Sequence, residues 1–133
     1  KLDNDTIKKV LRLIKWHDFR PQPQMVCVRR AVNQIGEDLF PLYLEVQRAD
    51  MLAQSEYKRE EKQERLDGVE KCYQEILEKG QCVSLKTLAV TGKDLIEAGC
   101  TPGKEMGEIL NRLLEEVLEH PEYNKKEILL AKI

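Results

Sequence analysis

Thr91 and Asp94 stand three residues apart at the head of a short apolar run that closes at Gly99, and Thr101-Pro102-Gly103 then opens a longer one. T-x-x-D is a capping box, in which hydroxyl and carboxylate each take up an orphan N–H of the first helical turn. A helix therefore starts at Thr91, with Leu95 and Ile96 facing inward. It ends at Gly99 because glycine adopts the left-handed C′ conformation without strain. Thr101 is placed to cap again, with Pro102 at N1, where its missing N–H costs nothing. Met106, Ile109, Leu110, Leu113, Leu114, Val117 and Leu118 then recur at helical spacing on one core face. Residues 91–117 thus read as two helices joined by a tight turn of well-specified register.

The rest of the chain is punctuated in the same way. Thr6 or a neighbouring acidic residue can cap a first helix whose Ile7, Val10, Leu11 and Ile14 share one face, and Pro21 and Pro23 end it. A second helix spans residues 25–35 and stops at Gly36. Asp38 starts a third, with Pro41 in its first turn, running through Leu42, Leu44, Val46, Ala49 and Leu52 to about Ser55. In residues 56–65 every position but Tyr57 is polar, with four basic against four acidic side chains, so this half of a fourth helix has no face to bury and is expected to project into solvent. Leu66, Val69, Tyr73, Ile76 and Leu77 make its remainder amphipathic as far as Gly80. With 35% charged residues, 5% aromatic residues and almost no alternating β-branched run, the expected fold class is all-α. A helical body over residues 1–80 and a smaller helical tail over residues 81–133 are the expected domains, with residues 80–83 as the boundary.

A formal charge of -2 excludes a basic polyelectrolyte, so any contact with nucleic acid must be local. Residues 1–30 carry eight Lys or Arg against three Asp. That excess fits either a binding face or an ordinary solvated helix surface. Cys27, Cys72, Cys82 and Cys100 form no C-x-x-C pair and have no neighbouring His to complete a zinc set, so free thiols in a reducing cytoplasm are expected. Nothing resembles a signal peptide and the longest apolar run is far too short for a membrane span, so no membrane partner is expected. The opening Lys1-Leu2-Asp3, in place of a Met, suggests a piece of a larger protein.

Gly103 and Gly107, four residues apart, lie on one side of the longer helix's first turns. Missing side chains there allow close approach, and free N–H groups, the positive end of the helix dipole and Lys104 all favour an anion. The alternative is that the glycines only allow the short helix to pack tightly on the long one. Lys93, which opens the short helix, adds to the positive charge.

The string Leu88-Ala89-Val90-Thr91-Gly92-Lys93-Asp94-Leu95-Ile96, followed by Gly99, Pro102-Gly103-Lys104, Met106-Gly107 and Ile109-Leu110, resembles the C-terminal tail of bacterial tRNA nucleotidyltransferases, the CCA-adding and poly(A) polymerase family. Asn124-Lys125-Lys126-Glu127 with Leu129 and Leu130 is similar to the close of that tail. Trp16-His17-Asp18, Val28-Arg29-Arg30, Gly36-Glu37-Asp38-Leu39-Phe40 and Arg48-Ala49-Asp50-Met51-Leu52-Ala53-Gln54 resemble the family's HD-like body.

The resemblance implies a parent enzyme whose N-terminal head carries paired carboxylates, Mg and ATP or CTP. No D-x-D beside a Gly-Ser strand occurs in this sequence, so no catalytic residue and no cofactor are expected within it. His17 and Asp50 match late members of an HD metal set whose early members are missing, and two ligands do not complete a site. The implied role is to hold tRNA through Lys86, Thr91, Gly92, Lys93, Gly103, Lys104, Gly107 and Arg112, with Arg29 and Arg30 on the basic early helices. The implied partners are tRNA and the chain's own N-terminal catalytic domain, while a second copy in a homodimer belongs to the scaffold alternative. Two other roles stay open: a helical scaffold that dimerises or braces the head, and a helix-hairpin-helix-like module gripping DNA.

Overall fold

Charge-rich, Leu-rich runs interrupted by Gly and Pro give helices of one to six turns, and the computed structural model, which describes residues 3–54, 56 and 58–133, contains seven α-helices and no strand among them. Lys1, Leu2, Ser55 and Tyr57, named above for the chain's opening, the third helix's end and the apolar exception in residues 56–65, lie outside the described residues. The all-α expectation holds. None of the described helices is long and apolar enough to cross a membrane. The chain divides into two compact units, Lys1–Lys79 and Gly80–Ile133.

In the first unit α1 spans Asn4–Trp16, and its N-cap is Asp3 rather than Thr6. The Asp3 carboxylate accepts the Thr6 N–H at 2.7 Å. Helix α2 spans Met25–Ile35 and ends on Gly36 at φ +113°, as its glycine requires. Helix α3 covers Phe40–Ala53 with Pro41 in its first turn. Asp38 does not cap it. Its carboxylate is held by Arg12 of α1 at 3.1 and 3.2 Å, and the same guanidinium donates to the Ile35 carbonyl at the end of α2. A Cβ on Gly36 would sit 2.1 Å from that guanidinium, so the glycine serves this clasp as well as its own backbone.

Helix α4 runs over Arg59–Lys79. Its Leu66, Val69, Tyr73 and Ile76 are buried with Val28, Ala31, Val32 and Ile35 of α2 and with Phe40, Tyr43, Leu44 and Met51 of α3. Phe40 lies at the centre, its ring 5.6 Å from Tyr43 and 4.8 Å from Tyr73. Gly68 admits the close approach of Pro23, whose Cβ lies 2.6 Å from where a glycine-68 Cβ would stand. Leu77, expected on the buried face, is exposed, and so are Ile7, Val10, Leu11 and Ile14 along the apolar stripe of α1.

None of residues 56 and 58–65 is buried, as expected for a segment with no apolar face, but two of its arginines turn back to the body. Arg59 folds back to donate to the carbonyls of Leu52 and Gln54 at 3.3 and 2.8 Å, and Arg65 reaches the Pro21 carbonyl at 3.3 Å. Guanidinium groups on long stems satisfy the backbone left open by the end of α3 and by the proline segment.

The second unit contains a 3-10 turn at Leu85–Thr87, α5 at Gly92–Glu97, α6 at Lys104–Glu119, a second 3-10 turn at Pro121–Tyr123 and α7 at Lys126–Ala131. Leu113, Leu114, Val117 and Leu118 of α6 are buried with Leu88, Val90, Leu95 and Leu129, while Met106, Ile109 and Leu110 are only partly covered. Asn124 ties the loop before α5 to the segment before α7, accepting the Ala89 N–H at 2.7 Å and donating to the Thr87 carbonyl at 3.0 Å. An alanine at position 124 leaves both backbone groups without this partner. We expect Asn124→Ala to destabilise the second unit by about 1–3 kcal/mol, read in urea titrations as faster hydrogen exchange of α5 and α6 amides with α2–α4 unaffected.

Candidate nucleic-acid interface

The capping box at Thr91 forms in full. Asp94 N–H donates to the Thr91 hydroxyl at 3.4 Å, while Thr91 N–H and hydroxyl donate to the Asp94 carboxylate at 2.9 and 3.1 Å. The other carboxylate oxygen of Asp94 takes Lys126 of α7 at 2.8 Å. These donors, Lys126 foremost and the Thr91 backbone next, lower the Asp94 pKa from 3.8 to about 2. Leu95 is fully buried beneath this knot, whereas Ile96, expected to face inward with it, is 47% exposed. Lys93, next to Asp94, is exposed.

Helix α6 begins later than its sequence suggests. Thr101 does not cap it and Pro102 is not its first residue: the N-cap is Gly103, at φ +143° and ψ −156°, and helical backbone starts at Lys104. A glycine-only conformation at 103 breaks the helical path, so the local preference of proline for N1 gives way to it. Among the described residues no side chain caps the start of α6. Among the described residues nothing lies within 4 Å of where a Cβ on Gly103 or Gly107 would stand, so neither glycine serves tight helix packing. That work falls to Gly92, where a Cβ would meet the Met106 methyl at 3.1 Å. The start of α6 is therefore a bare, exposed surface with Gly103, Lys104 and Gly107 in its first turns.

The remaining expected contacts are placed less uniformly. Lys86 is exposed in the first 3-10 turn. Arg112 is exposed on α6 and donates to the Lys132 carbonyl at 3.2 Å, so part of its fork serves the end of the chain. In the first unit Arg29 is only 5% exposed, which leaves it little surface to offer a ligand, and Arg30 is half-buried. His17 lies at the end of α1, exposed, with Nε2 3.2 Å from Asp18. Asp50 accepts from Gln54 at 3.0 Å, with Arg20 at 4.0 Å. Arg20 links the two residues, since it also donates to the His17 carbonyl at 2.6 Å, while the His17 ring pairs with Asp18. Sequence spacing did not reveal the Asp94–Lys126 pair, because its members lie on different helices.

The family described as tRNA nucleotidyltransferase domain 2 matches residues 1–133. A CCA-adding enzyme of Ligilactobacillus salivarius (strain UCC118) is 52% identical over 48 residues, which is 35% of this chain and 12% of that enzyme, so the match spans about an eighth of the relative's length. No solved structure matches.

The depressed Asp94 pKa fixes a pH dependence. Its folded value of about 2 lies below the ordinary 3.8, so the stabilisation is fully present above pH 4 and is lost as the pH falls through about 2. Acid titration of the second unit, followed by circular dichroism and amide exchange, should show this loss in the wild-type chain, and Asp94→Asn should flatten the profile between pH 4 and pH 2.

Proposed function

Because the chain belongs to the tRNA nucleotidyltransferase domain 2 family, we propose that it is the tRNA-holding part of a cytoplasmic nucleotidyltransferase of the CCA-adding kind. Nucleotide addition, with its Mg and ATP or CTP, falls to an N-terminal catalytic head of the same parent enzyme. The observation that carries this reading is the uncovered start of α6. Uncapped N–H groups at the positive end of a sixteen-residue helix attract an anion, and glycines at 103 and 107 let a phosphate come close to the backbone. Lys104 beside them and Lys93 on α5 supply charge. Thr91, Gly92, Lys86 and Arg112 complete the proposed surface.

The chain's net charge of -2 gives it no diffuse attraction for RNA, so the grip rests on a few contacts. Duplex RNA suits such contacts because its A-form grooves present phosphates and 2′-hydroxyls more readily than base edges. Binding by phosphate neutralisation releases counterions and is therefore salt-sensitive.

A second reading, favoured by the exposed stripe of Ile7, Val10, Leu11 and Ile14, makes the chain a scaffold that dimerises or braces the head. Light-scattering mass with and without tRNA separates a self-associating scaffold, which dimerises without RNA, from an RNA binder.

Two substitutions test the first reading. Replacing Lys93 and Lys104 together by Glu should weaken tRNA binding at least roughly tenfold and reduce the log–log salt slope by about 2, one for each phosphate that is no longer neutralised. Gly107→Ala should stabilise α6 by about 0.5–1 kcal/mol, because alanine is the better helix former and has open space there, yet weaken tRNA binding by blocking the backbone. Unchanged affinity in both variants, measured by fluorescence anisotropy, contradicts the assignment.

A further inference from the structure

A cleft of about 220 Å³ in the first unit opens between the α1–α2 connection, α3 and α4, and is lined by Arg20, Gln47, Asp50, Gln54, Lys62 and Arg65, among others. Three cationic side chains thus share it with one carboxylate. That carboxylate is already engaged: Asp50 accepts from Gln54 at 3.0 Å and lies 4.0 Å from Arg20. Lys62 donates to the Gln54 amide oxygen at 2.9 Å. Arg20 directs one nitrogen to the carbonyls of His17 and Phe19 at 2.6 and 3.2 Å.

Arg65 is the group left over. It forms no ion pair among the described residues, and its hydrogen bond to the Pro21 carbonyl is long at 3.3 Å. Burial, together with the positive charge of Arg20, lowers its pKa, while Tyr43 opposes the shift. A partly desolvated guanidinium beside a second one, with no counter-ion of its own, is unfavourable until an anion arrives. Planar forks of this kind match the oxygens of a phosphate two at a time, and the lysine adds a mobile point charge.

We propose that the cleft formed by Arg20, Lys62 and Arg65 binds a phosphate group. The group has two sources of the same chemistry: a phosphodiester of an RNA backbone, or a free phosphate. The inference does not rest on the start of α6, and the variants that test it leave Lys93, Lys104 and Gly107 intact.

The test uses the 133-residue chain and two probes, tRNA in anisotropy titrations and inorganic phosphate in titrations followed by arginine side-chain NMR. Arg65→Gln and Arg20→Gln should each weaken binding of the accepted probe by roughly tenfold, as expected for loss of a charge-assisted hydrogen bond. Asp50→Asn should strengthen it, because it removes the cleft's negative charge; a purely structural role for these residues moves no affinity in that direction. If tRNA binding responds and its salt slope falls by about 1 in Arg65→Gln, the phosphate is that of RNA. If tRNA binding is unmoved but inorganic phosphate gives saturable shifts at Arg20 and Arg65 that the variants abolish, it is a free phosphate. If neither probe responds, the proposal is overturned. Circular dichroism checks that each variant folds, and should Arg65→Gln unfold, Lys62→Gln and Asp50→Asn decide the matter by their opposite effects.

Discussion

Asp94 accepts from the Thr91 N–H, the Thr91 hydroxyl and the Lys126 ammonium at once. The first two contacts fix where α5 starts. The third ties α5 to α7, and Leu95 buried beneath sets the face that α5 turns to the core. Since α5 carries Lys93, and Gly92 rests against Met106 of α6, the same carboxylate governs how the two lysines of the proposed interface are presented. Three donors on one carboxylate lower its pKa, and the resulting stabilisation ties local geometry to folding. A site that must hold an extended polyanion gains from such preorganisation, because ordering costs are met in the fold and not at the moment of binding.

The first unit uses the same device on a different scale. Arg12 joins the end of α2 to Asp38 ahead of α3, and Gly36 leaves room for its guanidinium. Arg59 and Arg65 close backbone carbonyls that helix ends and prolines leave open. Arginine dominates these joints because its planar fork meets carbonyls and carboxylates from a long stem. Where cations outnumber carboxylates, in the cleft that Arg20, Lys62 and Arg65 share with Asp50, net positive charge faces a concave surface.

Features set by neighbouring residues were legible in the sequence. Met25–Ile35 begins and ends as its spacing and Gly36 dictate, and the Thr91–Asp94 box forms as T-x-x-D predicts. Features set by partners distant along the chain were not. Asp38 reads as a helix cap because its local surroundings permit one, but Arg12, 26 residues earlier, holds its carboxylate. Arg65 reads as solvated because its neighbours are charged, while its contact is with Pro21, 44 residues away. Periodicity assigned Ile7, Val10, Leu11 and Ile14 to one face but carried no information on what covers that face. At Gly103 two local rules competed, and the backbone freedom of glycine prevailed over the N1 preference of Pro102. Of the proposed interface, spacing placed Gly103, Lys104 and Gly107 in one helix's first turns but left open whether the glycines pack or lie bare, which the surrounding open space decides, and the burial of Arg29 depended on α2 being packed within the unit.

Amide chemical shifts of the 133-residue chain during titration with tRNA bear most directly on the proposed grip. The largest, saturable changes should fall on residues 103–107 at the start of α6 and on Lys93, and should fade as salt is raised. Saturable tRNA binding that leaves those amides unmoved, with the changes confined to the apolar stripe of α1, would contradict it.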